Sequence, residues 1–274
     1  MTTLSNLDQV LAMPADTGSR SARMWRKSER YVLPLLALVV LLAAWQAIVD
    51  FKVVNPLFIA APTAIAAEIV KLFGQSVFWV DMKVSGEELV IGLGISIVLG
   101  IAGGLIYGWY PKIRMALEPI INGWNAMPQI ALVPVLILLL GIGIWSKVAM
   151  IVLTCGTTFW LNTAAGIESI SKNYIRTAKS FCVTDLQIFR WVALPAAFPY
   201  MLSALRIGLG RALIAIVVAE LYGSQFGIGH LLTVAANNYQ SSQEFAALIV
   251  ITAFGIICNI GMRKVEKWYN AGKQ

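Results

Sequence analysis

Six apolar runs, each close to the length needed to cross a bilayer, constrain this chain more than any other feature of its sequence. A membrane-spanning helix needs about 20 predominantly apolar residues. The hydrocarbon core offers no partner to backbone amides, so runs of this kind must form helices. The runs are Tyr31–Val49, Glu88–Tyr107, Met127–Leu140, Lys147–Ala165, Tyr200–Leu221 and Phe245–Met262. The sequence therefore predicts an all-α integral membrane protein with six transmembrane helices.

The composition agrees with this fold class and argues against a nucleic-acid-binding protein. Charged residues make up 13% of the chain, whereas a soluble domain carries about 25%. The net charge of +7 comes from basic residues that lie between the apolar runs, not in one patch. The three cysteines, Cys155, Cys182 and Cys258, have no metal-ligand or disulfide-framework spacing. We therefore expect no metal and no cofactor.

The distribution of lysine and arginine predicts the orientation. A cytoplasmic N-terminus places 17 of these residues inside and 4 outside, as the positive-inside rule requires. The 17 include Arg206 and Arg211, which we interpret as extending to the inner surface from the start of the fifth run. We expect a cytoplasmic segment 1–30, a six-span domain 31–262 and a cytoplasmic tail 263–274. The first run is interpreted as an anchor and not as a cleaved signal.

The longest polar insertion between the runs, residues 166–199, lies inside in this topology. Thr184-Asp185-Leu186-Gln187 has the form of a capping box, so a short helix is predicted after Thr184. That helix would present Leu186 and Phe189 on one side. Topology alone leaves two interpretations open, a docking element for a soluble partner or a structured loop without a partner.

Two further features concern the spans themselves. Small residues recur at every fourth position of the second run, which predicts a closely packed helix interface: Gly92, Ser96, Gly100, Gly104 and Gly108. Glu220 closes the fifth run, and a charge there fits a structural role and a gate role equally well.

Absent motifs argue against catalysis. The chain has no P-loop, no metalloprotease signature, no Ser-His-Asp set and no clustered carboxylates. An ion-driven secondary transporter, the alternative function, should show buried carboxylates or broken helices. The sequence shows little of either.

The segment Tyr174–Leu221 resembles the conserved cytoplasmic loop of binding-protein-dependent ABC transporter permeases, the EAA loop. When the alignment is anchored on Val192–Pro195, the glycine of the family motif falls on Cys182. The Glu-Ala-Ala positions fall on Arg176, Thr177 and Ala178. The C-terminal half of the motif therefore matches, and the N-terminal half departs from it.

The resemblance extends over residues 55–270. Its other elements are Ala61-Pro62, Leu117-Glu118-Pro119, Met127-Pro128, Leu140–Gly143 followed by Lys147, Ala219–Ser224 and Gly227–Leu232. Together these motifs most resemble the subgroup of nitrate, sulfonate and taurine permeases.

The resemblance implies the type I ABC importer permease fold and a place in the bacterial inner membrane, with both termini cytoplasmic. Its implied partners are cytoplasmic ATP-binding subunits, a second permease subunit in a homo- or heterodimer, a periplasmic substrate-binding protein and membrane lipid. The chain would form the pathway for a small solute and hydrolyse nothing itself. A small organic or inorganic anion is the expected substrate, and an aromatic or heterocyclic nutrient fits nearly as well.

The same resemblance assigns two sets of candidate residues. The ATPase-coupling loop comprises Ala178, Cys182, Thr184, Asp185, Leu186, Gln187, Phe189, Leu194 and Pro195. The gate or pathway candidates are Glu220, Met127 and Pro128.

Overall fold

The computed structural model describes residues 20–271, with side chains from 32 to 269. Parts of the predicted segment 1–30 and tail 263–274 lie outside this range. Every regular element in the described part is helical. The elements are α1 (Arg20–Asp50), α2 (Pro62–Gly74), α3 (Ser76–Trp109), α4 (Pro111–Ala126), a 3-10 turn (Gln129–Leu132), α5 (Val133–Leu140), α6 (Ile144–Glu168), α7 (Lys172–Ser180), α8 (Asp185–Ile188), a π turn (Phe189–Ala193), α9 (Leu194–Gly223), α10 (Ile228–Asn237) and α11 (Ser241–Ala271).

The chain divides into two units, Met1–Thr63 and Ala64–Gln274. In the first unit, the side chains of α1 from Val32 to Leu42 are exposed, as an apolar helix surrounded by lipid requires. The same unit closes on itself where the Gln46 side chain accepts a hydrogen bond from the Thr63 amide at 3.2 Å.

The second unit contains the remaining spans, and one of them differs from the prediction. Within residues 20–271, five helices are long and apolar enough to cross a membrane. The predicted third span is instead a bent pair, in which α4 and residues 129–140 meet at 85°. Pro128 lies at the break, and proline disfavours a helical conformation for the residue before it. The count reaches six only if this pair is one span.

The core of the second unit is built around α6, which packs against α3 on one side and α9 on the other. The small-residue face of α3 contacts α6 along its length. A Cβ atom built at any of four of its glycines would lie within 3.1 Å of an α6 atom, which is closer than van der Waals contact. These glycines are Gly92, Gly100, Gly104 and Gly108. The predicted close interface is confirmed, and its physical basis is that small side chains let two helix backbones approach closely.

The opposite side of α6 meets α9 through an equally close contact. A Cβ built at Gly208 would lie 2.9 Å from the Phe159 ring. The Cys155 thiol donates to the Gly208 carbonyl at 3.3 Å. Phe159 and Cys155 are fully buried, so α6 positions α3 and α9 relative to each other.

Regular helix extends into both ends of the polar insertion, because α6 continues to Glu168 and α8 is joined to α9 without a break. Residues Asp185–Gly223 form one continuous helical path. Pro195 lies in the first turn of α9 and does not interrupt it. The π turn just before it accommodates the proline ring, which would otherwise crowd the carbonyl of the preceding turn.

Candidate functional site

The segment 172–193, which we call the coupling segment, contains α7, α8 and the π turn. Its central helix begins with the predicted capping box: the Thr184 hydroxyl accepts from the Gln187 amide, and the Gln187 side chain accepts from the Thr184 amide at 2.9 Å. Lys179 and Asp185 form an ion pair of 3.2 Å across the turn between the two helices. These local interactions stabilise the start of α8 and the turn that joins it to α7.

The coupling segment has an outward and an inward face. Four large apolar side chains project outward, each between 71% and 76% exposed: Tyr174, Phe181, Leu186 and Trp191. On the inward face Ile188 is buried, and the Phe189 ring packs edge-on against Trp109 of α3, with 5.2 Å between centroids. Leu186 and Phe189, predicted to share one side of the helix, therefore differ in environment, and Leu186 is the exposed one. Phe189 is instead engaged by the bundle, which the sequence pattern did not reveal.

Cys182 occupies the position where the family motif has glycine. Its backbone conformation explains why glycine is preferred at this position. Its φ is +56°, in the left-handed region that side chains disfavour. The Cys182 amide donates to the Lys179 carbonyl at 3.0 Å and so ends α7. The turn keeps this geometry with a cysteine in place of glycine. The thiol-bearing residue is exposed.

At the other end of α9, a set of buried polar groups surrounds Glu220, and we call it the Glu220 cluster. It consists of Asp81, Ser85 and Glu88 of α3, Lys147 of α6, and Glu220 of α9. The Ser85 hydroxyl donates to Glu220 at 2.5 Å. Lys147 lies 3.6 Å from Glu88 and also donates to the Ile142 carbonyl at 2.7 Å.

The Glu220 cluster binds the loop between α9 and α10, because its side chains accept hydrogen bonds from backbone amides of that loop. The Gly227 amide donates to Asp81 at 2.8 Å, Ile228 donates to Ser85 at 2.9 Å, and Gly229 donates to Glu220 at 2.6 Å. Gly227 has a φ of +110°, and a Cβ built on Gly229 would lie 2.5 Å from the Glu220 Cβ. Both glycines are therefore required by the close approach of Glu220.

The buried carboxyl groups correct the expectation that the chain has no clustered carboxylates. Asp81, Glu88 and Glu220 are each at most 3% exposed, and all three belong to this cluster. The spacing of Asp81, Ser85 and Glu88 by four and three residues, which places them on one face of a helix, was a signal available in the sequence. Within residues 20–271 no three acidic, histidine or cysteine side chains could hold a metal ion.

The break between α4 and α5 opens onto a cavity of about 250 Å³. Pro128 and the buried Gln129 line one wall, and Thr154 of α6 and Arg211 of α9 line another. Pro128, a predicted pathway residue, thus lies at a cavity, and Met127 is the residue that ends α4. Glu220, the third candidate, lies nine residues beyond Arg211 in a different environment.

The structure gives both arginines partners within the bundle, and their extension to the inner surface stays a prediction. Because α9 begins at Leu194, Arg206 and Arg211 lie well inside the helix. Arg206 pairs with Glu266 of α11 at 3.7 Å. Arg211 donates to the Thr158 hydroxyl of α6 at 2.8 Å.

A bundle of membrane-length helices with a broken span and a cavity at the break is typical of membrane transport proteins. Residues 96–271 match the family described as binding-protein-dependent transport system inner membrane component, and the chain belongs to this family. It is 28% identical to the taurine transport system permease protein TauC of Escherichia coli over 89% of this chain and 90% of the relative. It is also 28% identical to the formylaminopyrimidine transport permease protein ThiX of Halalkalibacterium halodurans, over 88% and 96%.

The fold has a solved counterpart in the MetNI methionine ABC transporter in an inward-facing conformation. The TM-score is 0.61 at 15% identity, covering 68% of this chain and 93% of that one. This likeness and the family confirm the type I importer fold and the ABC permease resemblance. The chain is therefore a translocation subunit that works with separate ATPase subunits and a substrate-binding protein, and not an enzyme. An ion-driven secondary transporter is not favoured, although buried carboxyl groups are present.

Proposed function

We propose that this permease carries a small anion across the bacterial inner membrane, and that its coupling segment is the docking surface for a cytoplasmic ATPase. The observation that carries the docking proposal is the row of exposed apolar side chains on a surface held by the capping box. Large exposed apolar groups on a defined polar-rimmed surface are typical of protein interfaces.

The inward face of the coupling segment supports a mechanical role. Ile188 and Phe189 anchor it to the bundle, and the π turn continues directly into α9. A displacement of the docked surface would therefore move α9 as a connected element, whereas a free loop would absorb it. Motion of this kind, driven by ATPase closure, would switch the bundle between inward-open and outward-open states.

The substrate proposal is supported by a relative and by the presence of Arg211 in the lining of the cavity at the break. TauC is named for taurine, which carries a sulfonate. ThiX is named for a formylaminopyrimidine, so a heterocyclic nutrient is the second candidate. Uptake of labelled taurine and labelled formylaminopyrimidine by cells that express the complete transporter, compared with cells lacking the permease, distinguishes the two.

Leu186→Asp tests the docking surface. Burying a leucine at an interface contributes about 1–3 kcal/mol, so an aspartate there should release the ATPase from the permease. The measurement is co-purification of the ATPase with a tagged permease in detergent. Because Leu186 is 75% exposed, the permease itself should keep its yield.

Two variants control this experiment. Tyr222→Asp places the same charge on a 64% exposed side chain at the opposite end of α9, and it should retain the ATPase. Phe189→Asp should lower the yield of the permease itself, because that ring packs on Trp109. Full retention of the ATPase by Leu186→Asp would place the docking site elsewhere.

The native Cys182 tests the orientation without an engineered reporter. Within the described chain Cys155 is buried and Cys258 is half-buried, whereas Cys182 is exposed. A membrane-impermeant thiol reagent should label Cys182 in inside-out vesicles stripped of ATPase and should spare it in right-side-out vesicles. Re-addition of the ATPase should protect it, and Cys182→Ser should abolish the signal. Labelling from the outer side would invert the proposed orientation.

A further inference from the structure

Arg211 lies near the middle of a membrane-spanning helix and yet is exposed. It is 17 residues from the start of α9 and 12 from its end, which corresponds to about 25 Å and 18 Å along the helix. A guanidinium this far from both ends of an apolar helix cannot face lipid without a large cost. The surface that carries Arg211 therefore faces water, a ligand or another protein.

Polar side chains lie around Arg211, in a cavity whose other lining residues are apolar. Its guanidinium donates to Thr158, which is 5% exposed and holds it against α6. The cavity in front of it is lined by Thr154 and by Gln129, a side chain only 9% exposed. No described carboxylate lies within ion-pair distance of Arg211, so its charge is uncompensated within this part of the chain.

The cavity wall that faces Arg211 contains Pro128 and Gln129, at the break between α4 and residues 129–140. Among the described residues, this is the only helix pair of membrane length with such a bend. Irregular backbone at membrane depth is tolerated where it lines a cavity or is buried in protein. Broken helices in transporters accordingly mark substrate sites. The break at Pro128 and a guanidinium without an ion-pair partner among the described residues are independent observations that identify the same cavity.

The geometry points to an anion-binding subsite of the translocation pathway at Arg211, with Thr154, Thr158 and Gln129 as neutral polar partners. The ligand class is a small monovalent oxyanion group such as a sulfonate or nitrate. Arginine suits this role because its planar donors match the oxygens of such groups. The inference rests on the proposed function in that the cargo is an anion.

The test uses cysteines placed beside the guanidinium and two water-soluble thiol reagents of similar size and opposite charge. Ile214→Cys lies one turn beyond Arg211 and is exposed, and Thr154→Cys lies on the facing helix. Each is made with Cys182→Ser and Cys258→Ser in the assembled transporter, in lipid nanodiscs that leave both sides accessible. The reagents are the ethylsulfonate and the ethyltrimethylammonium methanethiosulfonates, whose sulfur forms a disulfide with the thiolate and releases methanesulfinate.

Both positions should react, and the sulfonate reagent should be favoured over the ammonium reagent. A charge about 6 Å away in water changes the ratio of anion to cation near it by about tenfold. Arg211→Gln should therefore lower the sulfonate-to-ammonium rate ratio by about tenfold, and Arg211→Lys should preserve most of it. Val98→Cys, on an exposed apolar face of α3, is the control and should resist both reagents.

Two results would overturn the proposal. If neither Ile214→Cys nor Thr154→Cys reacts with either reagent, lipid or a partner subunit covers the surface. If both react but Arg211→Gln leaves the rate ratio unchanged, the cavity is aqueous without selecting anions. Labelling needs neither transport nor a known substrate, so a failure of taurine uptake or of ATPase docking gives a separate answer. Should Arg211→Gln not assemble, Thr158→Val, which frees the guanidinium, should lower the ratio by a smaller factor.

Discussion

At the scale of single residues, the site depends on a few side chains whose environment contradicts their usual preference. Cys182 takes a backbone conformation suited to glycine, and Glu220 is buried at 1% exposure. Arg211 is a charge near the middle of α9. Glu220 is tolerated because a hydroxyl and a backbone amide donate to its carboxyl group.

Gly229→Ala tests how closely Glu220 approaches the loop after α9. The added methyl would meet the Glu220 Cβ and the Val217 carbonyl, both at 2.5 Å. Overpacking of this kind typically costs about 1–3 kcal/mol, so the melting temperature of the purified permease should fall. Gly210→Ala, where nothing lies within 4 Å, should leave it unchanged. Equal melting temperatures for the two variants would show that the loop is free to move away from Glu220.

At the scale of elements, α3 and α6 form an interface that depends on small residues, and α8, the π turn and α9 form one path. The stripe on α3 was visible in the sequence, because a repeat of four places residues on one helical face. The π turn was not visible, because it lies between Pro195 and the contact of Phe189 with Trp109 of α3, and that contact exists only in the folded bundle. Likewise, the inward position of Phe189 was decided by Trp109, a residue 80 positions away in the chain.

Gly100→Leu tests the α3–α6 interface against a matched change on the same helix. A Cβ at Gly100 would lie 2.5 Å from the Phe159 Cβ and 2.6 Å from the Gly156 carbonyl, so a leucine must separate the helices. Gly94→Leu adds the same side chain where nothing lies within 4 Å. We expect a large loss of folded permease, measured by size-exclusion yield, for Gly100→Leu only. If both variants give equal yields, the stripe of small residues is not needed for assembly.

At the scale of the whole second unit, α9 connects three places with different chemistry. One end continues from the coupling segment, the middle carries Arg211, and the far end holds the Glu220 cluster. The Glu220 cluster joins α3, α6 and α9 by buried polar contacts at that end. The ion pair of Glu88 and Lys147 is the charged part of this connection.

A double-mutant cycle on Glu88 and Lys147 measures that connection. Lys147→Met leaves a buried carboxyl group without its cation, which typically costs about 3–5 kcal/mol. The double variant Glu88→Met with Lys147→Met should recover much of this loss, because no unpaired charge remains. The readout is the melting temperature of the purified permease. Additive losses would show that the two side chains contribute independently, although they lie 3.6 Å apart.

The sequence by itself determined the fold class, the positions of most spans, the α3 stripe and the capping box at Thr184. Each of these depends on local periodicity or on neighbouring residues, and motifs over 55–270 sufficed for the family. Only the tertiary structure decided the bent third span, the continuity of α8 and α9, and the position of Arg211 within α9 and against Thr158. It alone assembled Asp81, Glu88, Lys147 and Glu220, since these residues are up to 139 positions apart and their burial depends on three helices packing together.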